Sequence, residues 1–408
     1  MFYLFFNPSL LIFLPLLFFV FKWFSRANPI PSKKCFPPSP PKLPIIGNLH
    51  QLGLHPHRTL RSLAQHHGPI MLLQLGTVPT LVVSSATLAR EIMKTHDTIF
   101  SNRPHTSTGR RLVYDCKDVV LGRYDRYWRQ MRSICVTHLF STKRVQSFRA
   151  VREEETALVL NEVEKSYYSS SWINLSEVLA SLTSAVMCRV AFGRKYGEGE
   201  DGRRFKGLLE ELGELLGCFN VEDFFPWLAW VNYITGFNAR VERVFHEFDN
   251  FFDLIVDDHM AHRSGVADGN CGGRREDYQM DLVDVLLDIQ DNSTDGDSLA
   301  RDNIKAIILD MFAAGTATTY TVLEWAMTEL LRSKEVMEEV QKEVRGIAGS
   351  KPSINEDDLE GMHYLKAVIK EALRLHPPAP LLIPRESTED VRIEGYDIMA
   401  KTQVLVNA

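Results

Sequence analysis

Apolar and polar positions alternate along the chain in three patterns, and each pattern predicts a different kind of element. Residues Phe2 to Phe21 form one uncharged run that is long enough to cross a bilayer as a helix. Residues 70–85 contain two short β-rich runs around Gly76 and Thr77, which predicts a hairpin. From about Ala86 to His376 apolar residues recur at helical spacing, and β-type alternation returns near the end. The pattern therefore predicts a mainly helical α+β fold, with a small sheet built from distant parts of the chain.

The N-terminal apolar run is followed, not preceded, by positive charge at Lys22 and Arg26. A cleaved signal peptide usually carries its positive charge first, so a retained membrane anchor is favoured over that alternative. Positive flanking residues stay on the cytosolic side, which leaves the body of the protein in the cytosol. Seven prolines between Pro29 and Pro44 favour an extended spacer. We expect an anchor helix over 1–24, a Pro-rich hinge over 25–50 and the main domain over 51–408.

Composition is that of a folded globular protein, with 45% hydrophobic and 24% charged residues. A formal net charge of -6 argues against binding to nucleic acid. Between Arg103 and Arg152, however, twelve Lys and Arg residues stand against three acids, which predicts contact with an anionic partner. The alternative is a basic face that is simply solvated. The six cysteines are widely spaced, without a metal-binding or disulfide pattern, and are interpreted as reduced thiols.

One predicted helix contains the sequence DMFAAGTATTYTVLEWAMTELL, in which apolar residues at helical spacing indicate a single long buried helix. Its middle nevertheless holds Gly315 and three threonines within five residues. Glycine costs about 1 kcal/mol relative to alanine in a helix, and threonine is also a poor helix former. This weakened centre indicates either a functional requirement or a close contact between helices.

Two pairs of polar side chains stand at helical spacing. Glu371 and Arg374 are three residues apart, and the apolar residues around them suggest a buried pair that helps to specify the fold. Trp128 and Arg132 are four residues apart, so an indole N–H and a guanidinium on one helix face could bind a carboxylate. On spacing alone, a half-buried amphipathic helix with an outward-reaching arginine is the favoured interpretation.

The anchor, the Pro-rich hinge and the motifs described above follow one another in a fixed order along the chain. In these motifs and in their order the chain resembles the cytochrome P-450 superfamily of haem-thiolate monooxygenases, in particular its plant A-type microsomal members. The resemblance covers essentially the whole chain. It rests on PPSPPKLPIIGNLHQLG, FSNRP, YWRQMRSIC, FNVEDFFPWLAWV, the Gly- and Thr-rich helix and KEALRLHPPAPLLIPRE. It implies the cytochrome P-450 fold, haem b (iron protoporphyrin IX) as the cofactor, and a single-pass attachment to the endoplasmic reticulum membrane.

The resemblance also implies roles for residues around the haem. Trp128 and Arg132 match a pair that holds one haem propionate, and Arg385 matches a contact to the second. Glu371 and Arg374 match a structural pair behind the haem.

The Gly- and Thr-rich helix matches the helix that crosses the distal face of the haem. Gly315 would open a groove for dioxygen, and the Thr318 hydroxyl would hydrogen-bond dioxygen and help to deliver protons for O–O cleavage. The implied substrate pocket is largely apolar, which predicts a small hydrophobic substrate such as a terpenoid or phenylpropanoid. Its residues are Val113, Val120, Leu121, Phe312, Ala313, Thr319, Leu381, Leu382 and Ile383.

The implied reaction inserts oxygen from O2 into that substrate. Its electrons would come from an NADPH-dependent cytochrome reductase in the same membrane, and the basic segment fits an acidic partner of this kind. Arg132 would face the haem, while Arg126 and Arg129 would remain available to the reductase.

Two features depart from the family. The thiolate that ligates the haem iron is expected from a cysteine in a loop near the C-terminus, yet no cysteine follows Cys271 in these 408 residues. We therefore expect a sequence truncated before that loop, with no metal ligand of its own and no monooxygenase activity as it stands. The sequence of the transcript beyond Ala408 would test this expectation.

The second departure is Ala317, which stands where the family usually has Asp or Glu. Alanine cannot relay a proton, and Asp310 lies about 10 Å away along the helix, too far to replace the acid. Two alternatives to a monooxygenase stay open: a non-catalytic truncated product or ligand-binding pseudoenzyme, and a haem-dependent isomerase or dehydratase of the same fold. The presence of Thr318 argues against the isomerase or dehydratase.

Overall fold

The computed structural model of the protein describes residues 34–195, 200–267, 280–292, 299–351 and 353–408. The anchor predicted over 1–24 and the first part of the hinge predicted over 25–50 lie outside these residues. Within the described part, two helical segments are long and apolar enough to cross a bilayer, namely Leu175–Phe192 and Arg301–Arg332. Residues from both belong to the main hydrophobic core, so length and composition alone do not assign either of them to a membrane.

The strands among the described residues are β1 (Ile70–Leu75), β2 (Val78–Val83), β3 (Arg385–Glu386), β4 (Val391–Ile393), β5 (Tyr396–Ile398) and β6 (Gln403–Val406). They form one four-stranded sheet, in the order β1-β2-β6-β3, and one small hairpin of β4 and β5. The predicted hairpin is present: β1 and β2 pair antiparallel, and Gly76 takes the positive φ of 56° that their turn requires. β2 pairs in parallel with β6 from the end of the chain, so the small sheet built from distant segments is confirmed.

Helices account for most of the described chain between residues 56 and 375. They are α1 (Pro56–His67), α2 (Ala86–Arg90), α3 (Ser107–Leu112), α4 (Arg126–Ile134), α5 (Thr142–Ser147), α6 (Arg149–Tyr168), α7 (Leu175–Phe192), α8 (Glu200–Gly217), α9 (Val221–Phe224), α10 (Trp230–Ile234), α11 (Phe237–Ala267), α12 (Leu282–Asn292), α13 (Arg301–Gly315), α14 (Ala317–Arg332), α15 (Lys334–Ala348) and α16 (His363–Leu375). Short 3₁₀ segments occur at Leu49–Gln51, Pro226–Leu228 and Glu356–Gly361, and π-helical turns follow α2 and α4 at Glu91–Thr95 and Cys135–Leu139.

The largest apolar cluster joins α3, α4, α7, α8, α11, α12 and α13. Phe312 of α13 lies at its centre, stacked on Phe192 with ring centroids 4.8 Å apart and edge-on to Phe205 at 5.1 Å. Two smaller clusters cover the faces of the four-stranded sheet. Because packed aromatic rings contribute both buried area and preferred geometry, this cluster fixes α13 in the middle of the helical body.

The segment predicted as one long buried helix differs from that prediction in two ways. It is irregular at Thr316, so α13 ends at Gly315 and α14 begins at Ala317, although Thr316 keeps right-handed helical angles (φ -88°, ψ -69°) and its carbonyl accepts the Tyr320 amide at 3.2 Å. The Thr316 hydroxyl is buried and has no hydrogen-bond partner among the described residues. The segment is also not buried along its whole length: the small residues at 313, 314 and 317–319 are exposed. The weak helix formers at the centre of the motif thus coincide with a local irregularity of the helix.

Candidate functional site

A cavity of about 630 Å³ lies beside α4 and β3 and is bordered mainly by positive charge. Its wall contains Trp128, Arg132 and Arg385, so the structure brings together the three residues that the sequence assigns to the haem propionates. The wall also contains two further arginines and one acid among the described residues, namely Arg103, Arg129 and Asp97. Such an excess of cations on a concave surface favours an anionic ligand.

Trp128 and Arg132 are held by α4, which begins where it does because the Asp125 side chain accepts a hydrogen bond from the Trp128 amide at 2.8 Å. The Trp128 indole N–H donates to the carbonyl of Val119 at 2.8 Å. In this arrangement the indole therefore fixes a loop, and its N–H is not free for a carboxylate. The Arg132 guanidinium lies 5.3 Å from the Trp128 ring centroid, an orientation that cation–π attraction stabilises.

Arg103 is a residue of the cavity to which the sequence gave no role. Its Nη1 donates to the carbonyl oxygens of Ile383 and Pro384, each at 3.0 Å. Burial, with repulsion from Arg385 as the second cause, lowers the pKa of Arg103 to about 10. Burial also lowers the pKa of Arg385, whose Nη1 donates to the Phe100 carbonyl at 3.1 Å. Two neighbouring cations with only carbonyl partners would be relieved by a bound anion.

An open helix face is a second candidate feature, and its residues are not part of the cavity wall. Ala313, Ala314, Ala317 and Thr318 are all exposed on either side of the break between α13 and α14. The Thr318 hydroxyl donates to the carbonyl of Ala314 one turn earlier, which satisfies it within its own helix. The side chains of this face are too small to cover the backbone, so a flat ligand could approach it closely.

Gly315 has a packing reason to be glycine. A Cβ built on it would lie 2.9 Å from Sδ and 3.2 Å from Cε of Met187 on α7. The absence of a side chain therefore lets α7 pack against the end of α13, which agrees with the close-contact interpretation of the motif. Its suggested role in an oxygen groove stays a prediction.

The residues predicted to line a substrate pocket do not share one surface. Phe312 lies inside the main core and is 0% exposed, whereas Ala313 and Thr319 are exposed. Val120 and Leu121 are half-buried in the loop that precedes α4. The remaining members are the buried Val113, the half-buried Leu381 and the exposed Leu382 and Ile383.

The Glu371–Arg374 pair forms, but the expectation that it is buried is wrong. Arg374 donates to both carboxylate oxygens of Glu371 at 2.7 Å, and hydrogen bonding lowers the pKa of Glu371. The two side chains are 55% and 66% exposed on α16. The neighbouring apolar residues Leu373 and Leu375 are also exposed, which is why they gave a misleading signal of burial.

The basic segment is not one free cationic face. Lys117 pairs with Asp302 at 2.9 Å, and Arg152 pairs with Glu356 through two hydrogen bonds. Other members of the segment bind acids elsewhere in the fold: Arg110 with Asp115, Arg111 with Glu222, and Arg149 with Glu153 and Asp357. Much of the positive charge of this segment is therefore paired with acids of the same protein, and the arginines of the cavity wall are a separate group.

Asp118 and Asp310 are two buried acids whose pairing was not predicted from the sequence. The Asp310 carboxylate accepts a hydrogen bond from the Val119 amide at 2.8 Å, which ties α13 to the loop before α4. Asp310 was considered only as a substitute for the acid missing at position 317. The one signal in the sequence was Asp310 itself, a single aspartate in an apolar helix. Its partner Asp118 lies too far away in sequence to be inferred.

The family model for cytochrome P450 matches residues 37–408. This chain belongs to the cytochrome P450 family. It is 53% identical to cytochrome P450 736A117 of Prunus mume, over 98% of this chain and 75% of the relative. It is 52% identical to cytochrome P450 71A26 of Arabidopsis thaliana, over 91% of this chain and 72% of the relative. It is 48% identical to norfluorocurarine oxidase of Strychnos sp, over 98% and 79%.

Solved structures agree with the fold. A zebrafish cytochrome P450 with abiraterone superimposes with a TM-score of 0.71 at 24% identity, covering 87% of this chain and 78% of that one. The same comparison with progesterone bound gives a TM-score of 0.71. The expected cytochrome P450 fold, mainly helical with small sheets, is therefore confirmed.

Membership of this family implies haem b as cofactor, oxidoreductase activity, and the use of O2, a redox partner and a small-molecule substrate. The relatives are plant enzymes of a typically membrane-bound group, and they include one with a role in specialised metabolism.

The described residues fit the carboxylate-bearing edge of a haem. The cavity gathers Arg103, Arg132 and Arg385, and no carboxylate of the described residues lies within hydrogen-bonding distance of these three. A thiolate is a different matter, because the cavity wall holds no cysteine among the described residues. Burial raises the pKa of the nearby Cys135 thiol to about 12, which keeps it protonated.

Proposed function

We propose that this protein is a membrane-anchored haem-thiolate monooxygenase that oxidises a small hydrophobic plant metabolite. O2 and electrons from an NADPH-dependent cytochrome reductase are its co-substrates in this proposal. The observation that carries it is the arginine-lined cavity, because its cations lack carboxylate partners among the described residues and suit the two carboxylates of a haem. The open helix face supports the same function.

Haem, when bound, supplies the iron at which dioxygen is activated. Arg132 and Arg385 would hold its carboxylate groups, and Arg103 would add positive charge beside them. Arg103 and Arg385 are already oriented by backbone carbonyls, so their guanidinium groups need little rearrangement to bind an anion.

On the other side of the ligand, Ala313, Ala314 and Ala317 would allow close approach of a flat ring. The Thr318 hydroxyl could leave the Ala314 carbonyl and hold a proton at its Oγ1 beside the reacting oxygen. Ala317 adds no ionisable group there. Proton delivery would then depend on water more than in relatives with an acid at this position.

The chemistry of the substrate follows from the residues near both surfaces. Val120, Leu121, Leu382 and Ile383 are apolar, and each is at least partly accessible. They support a hydrophobic substrate that is oriented by shape rather than by charge. One relative is named norfluorocurarine oxidase, which supports a small organic molecule as the substrate class.

Exposed arginines support the assignment of the redox partner. Arg123, Arg126 and Arg129 are exposed around the start of α4, beside the cavity. An acidic reductase surface would be attracted to such a group. With the anchor expected over 1–24, the enzyme would lie on the cytosolic side of the endoplasmic reticulum membrane.

The proposal is tested by titrating the full chain with haem and following the Soret absorbance. The double variant Arg132→Ala/Arg385→Ala should bind haem at least about 100-fold more weakly, because each of the two lost charge-assisted bonds contributes roughly 1.5–3 kcal/mol. The matched control is Arg392→Ala, which removes an exposed arginine whose side chain donates to the Gly395 carbonyl. Equal haem affinity in the double variant and the control would contradict the proposed site.

A second candidate is a haem-binding protein without monooxygenase activity, and Ala317 favours it. The reduced carbon-monoxide difference spectrum of the protein made from the natural transcript separates the two. A spectrum typical of thiolate-ligated haem supports the monooxygenase, whereas haem binding without it supports the second candidate. Turnover that needs no O2 would instead indicate an isomerase or dehydratase.

A further inference from the structure

The loop of residues 113–121, called the pocket loop below, has an unusual backbone. Tyr114, Asp115 and Cys116 follow one another with φ values of 48°, 59° and 58°. Residues other than glycine disfavour this left-handed region, because their Cβ comes too close to the following carbonyl oxygen. A run of three such residues persists only where contacts from outside the loop hold it in place.

The first half of the pocket loop is fixed by polar contacts to neighbouring helices. The Tyr114 hydroxyl donates to Asp249 of α11 at 2.9 Å. Lys117 pairs with Asp302 of α13 at 2.9 Å. These contacts hold the left-handed run, but both lie before Val119, whose carbonyl accepts the indole N–H of Trp128 in the cavity wall.

The second half of the pocket loop is fixed by two carboxyl groups, Asp118 and Asp310, which are 1% and 6% exposed. The two carboxyl groups are close neighbours, because each perturbs the pKa of the other. The Val119 amide donates to Asp310 Oδ2 at 2.8 Å, and the Leu121 amide donates to Asp118 Oδ2 at 2.7 Å. Asp118 Oδ1 is buried and receives no N–H or neutral hydroxyl from the described residues. It is therefore placed to accept a proton carried by Asp310.

The groups around Asp118 and Asp310 do not supply enough positive charge for both carboxyls to be ionised. The titratable groups that act on it are Arg103, Cys116, Tyr127 and Cys135. Arg103 is the cation in this set, and its guanidinium donates to two backbone carbonyls. Burial is the main cause that raises the pKa of both acids, and the pKa of Asp310 lies well above its usual range. Two carboxylates in contact cannot both ionise without a large cost.

We propose that Asp118 and Asp310 share one proton and act as a positioning pair, which holds the pocket loop on α13 only while that proton is retained. The effect reaches the cavity through Val119, whose amide binds Asp310 and whose carbonyl accepts the Trp128 indole N–H. The placement of the loop is independent of the proposed function. Its consequence for haem and substrate rests on that function.

The direction of the pH dependence follows from the raised pKa of the pair. The folded state favours the protonated form, so its contribution to stability is complete below the unfolded pKa of about 4. That contribution is lost as pH rises through the raised pKa of the folded state. The pocket loop should therefore loosen on the alkaline side, when the pair loses its shared proton and the carboxylates repel each other.

Hydrogen exchange of the full chain in detergent, without haem, tests this directly. Protection of the amides of Val119 and Leu121, corrected for the intrinsic exchange rate, should fall about tenfold between about pH 6 and about pH 9.5. Asp310→Asn keeps an oxygen for the Val119 amide and an N–H donor for Asp118, but it has no proton to lose in this range. Its pocket loop should stay protected at both pH values.

Asp223→Asn is the matched control. The Asp223 carboxyl also accepts one backbone amide, from Ser107 at 2.7 Å, and burial raises its pKa to about 6. This variant should keep the alkaline loss of protection in the pocket loop. Constant protection in the parent, or an alkaline loss in Asp310→Asn as large as in the parent, would overturn the proposal. Because haem is absent, neither result depends on whether the proposed monooxygenase function is correct.

Discussion

Two adjoining stretches of one helical segment are built in opposite ways. Along α13 up to Asp310, polar side chains such as those of Asn303 and Lys305 are buried and bonded to other parts of the fold. From Ala313 to Thr319 the side chains are small and mostly exposed, and the Thr318 hydroxyl bonds within its own helix. The first stretch fixes the position of the segment, and the second leaves its surface open. A surface that must receive a ligand accurately needs such a rigid neighbour.

The largest effect is expected from removing the buried cation of the anchored stretch. Lys305 Nζ lies 2.5 Å from Asp249 Oδ1 and 3.0 Å from Asp253 Oδ1, and its side chain is 5% exposed. Lys305→Met keeps the apolar length but leaves two neighbouring carboxylates without this partner. The free energy of unfolding, measured by urea denaturation, should fall by about 3 kcal/mol, the lower end for a broken buried pair because both carboxylates are partly exposed.

The control for this prediction is Lys334→Met, since Lys334 is 86% exposed and only 3.8 Å from Glu338. Its free energy of unfolding should change by less than about 0.5 kcal/mol. Similar losses in the two variants would mean that α13 is not anchored more strongly than the surface helices, and the contrast between the two stretches would break down.

The next effect concerns the junction of the two stretches. Gly315→Val places a branched side chain against Met187 Sδ, where a Cβ alone would come within 2.9 Å. Overpacking should lower the free energy of unfolding by about 2 kcal/mol. Gly315→Ala should be nearly neutral, because the flexible Met187 can shift and alanine gains about 1 kcal/mol of helix propensity.

A double variant shows whether Met187 is the cause. Met187→Ala makes room for the valine, so Gly315→Val should cost less in that background than in the parent. If the cost of Gly315→Val is the same in both backgrounds, packing against α7 does not explain the glycine. A groove requirement on the open side would then be the better explanation.

A smaller effect is expected at the contact between α13 and α4. The Asn303 amide donates to the Tyr127 hydroxyl at 2.6 Å, and that hydroxyl donates to the Lys117 carbonyl at 2.7 Å. Tyr127→Phe leaves the buried Asn303 amide without this acceptor and should lower the free energy of unfolding by about 1.5 kcal/mol. Tyr233→Phe, at a side chain that is 71% exposed, is the control and should have no measurable effect.

The same contrast explains what the sequence could and could not predict. The hairpin at Gly76 depends on a short-range pattern and was identified from neighbouring residues, whereas the stretch around Thr318 was predicted to be buried and is exposed. The bonds from Asn303 to Tyr127 and from Val119 to Asp310 join residues 176 and 191 positions apart, which no local period reveals. Burial was the least predictable property.

The cavity shows both sides of this limit. Trp128, Arg132 and Arg385 were found through motifs, and the structure brings them to one wall. Arg103 was missed because its importance comes from its burial beside Arg385, a tertiary property. The Glu371–Arg374 pair was found by its spacing, but its exposure depends on what packs against α16 and could not be read from that spacing.

The smallest change in stability is expected on the open stretch, where the functional effect should be clearest. Ala317 is exposed at the first position of α14, so Ala317→Asp creates no buried charge. The poorer helix propensity of aspartate and its favourable position at a helix N-terminus nearly cancel, leaving a change below about 0.5 kcal/mol. Under the proposed function, the new carboxyl would supply protons beside Thr318. The amount of peroxide released per product formed, measured with haem and the reductase in the protein made from the natural transcript, should then fall several-fold.

The control for that change is Ala317→Asn, which matches aspartate in size but cannot exchange a proton near neutral pH. It should release as much peroxide as the parent. If aspartate and asparagine lower peroxide release equally, a polar side chain that orders water is sufficient, and the missing acid does not limit proton delivery. If neither substitution changes peroxide release, position 317 tolerates substitution like an ordinary surface residue. Its contrast with the anchored stretch would then concern folding alone.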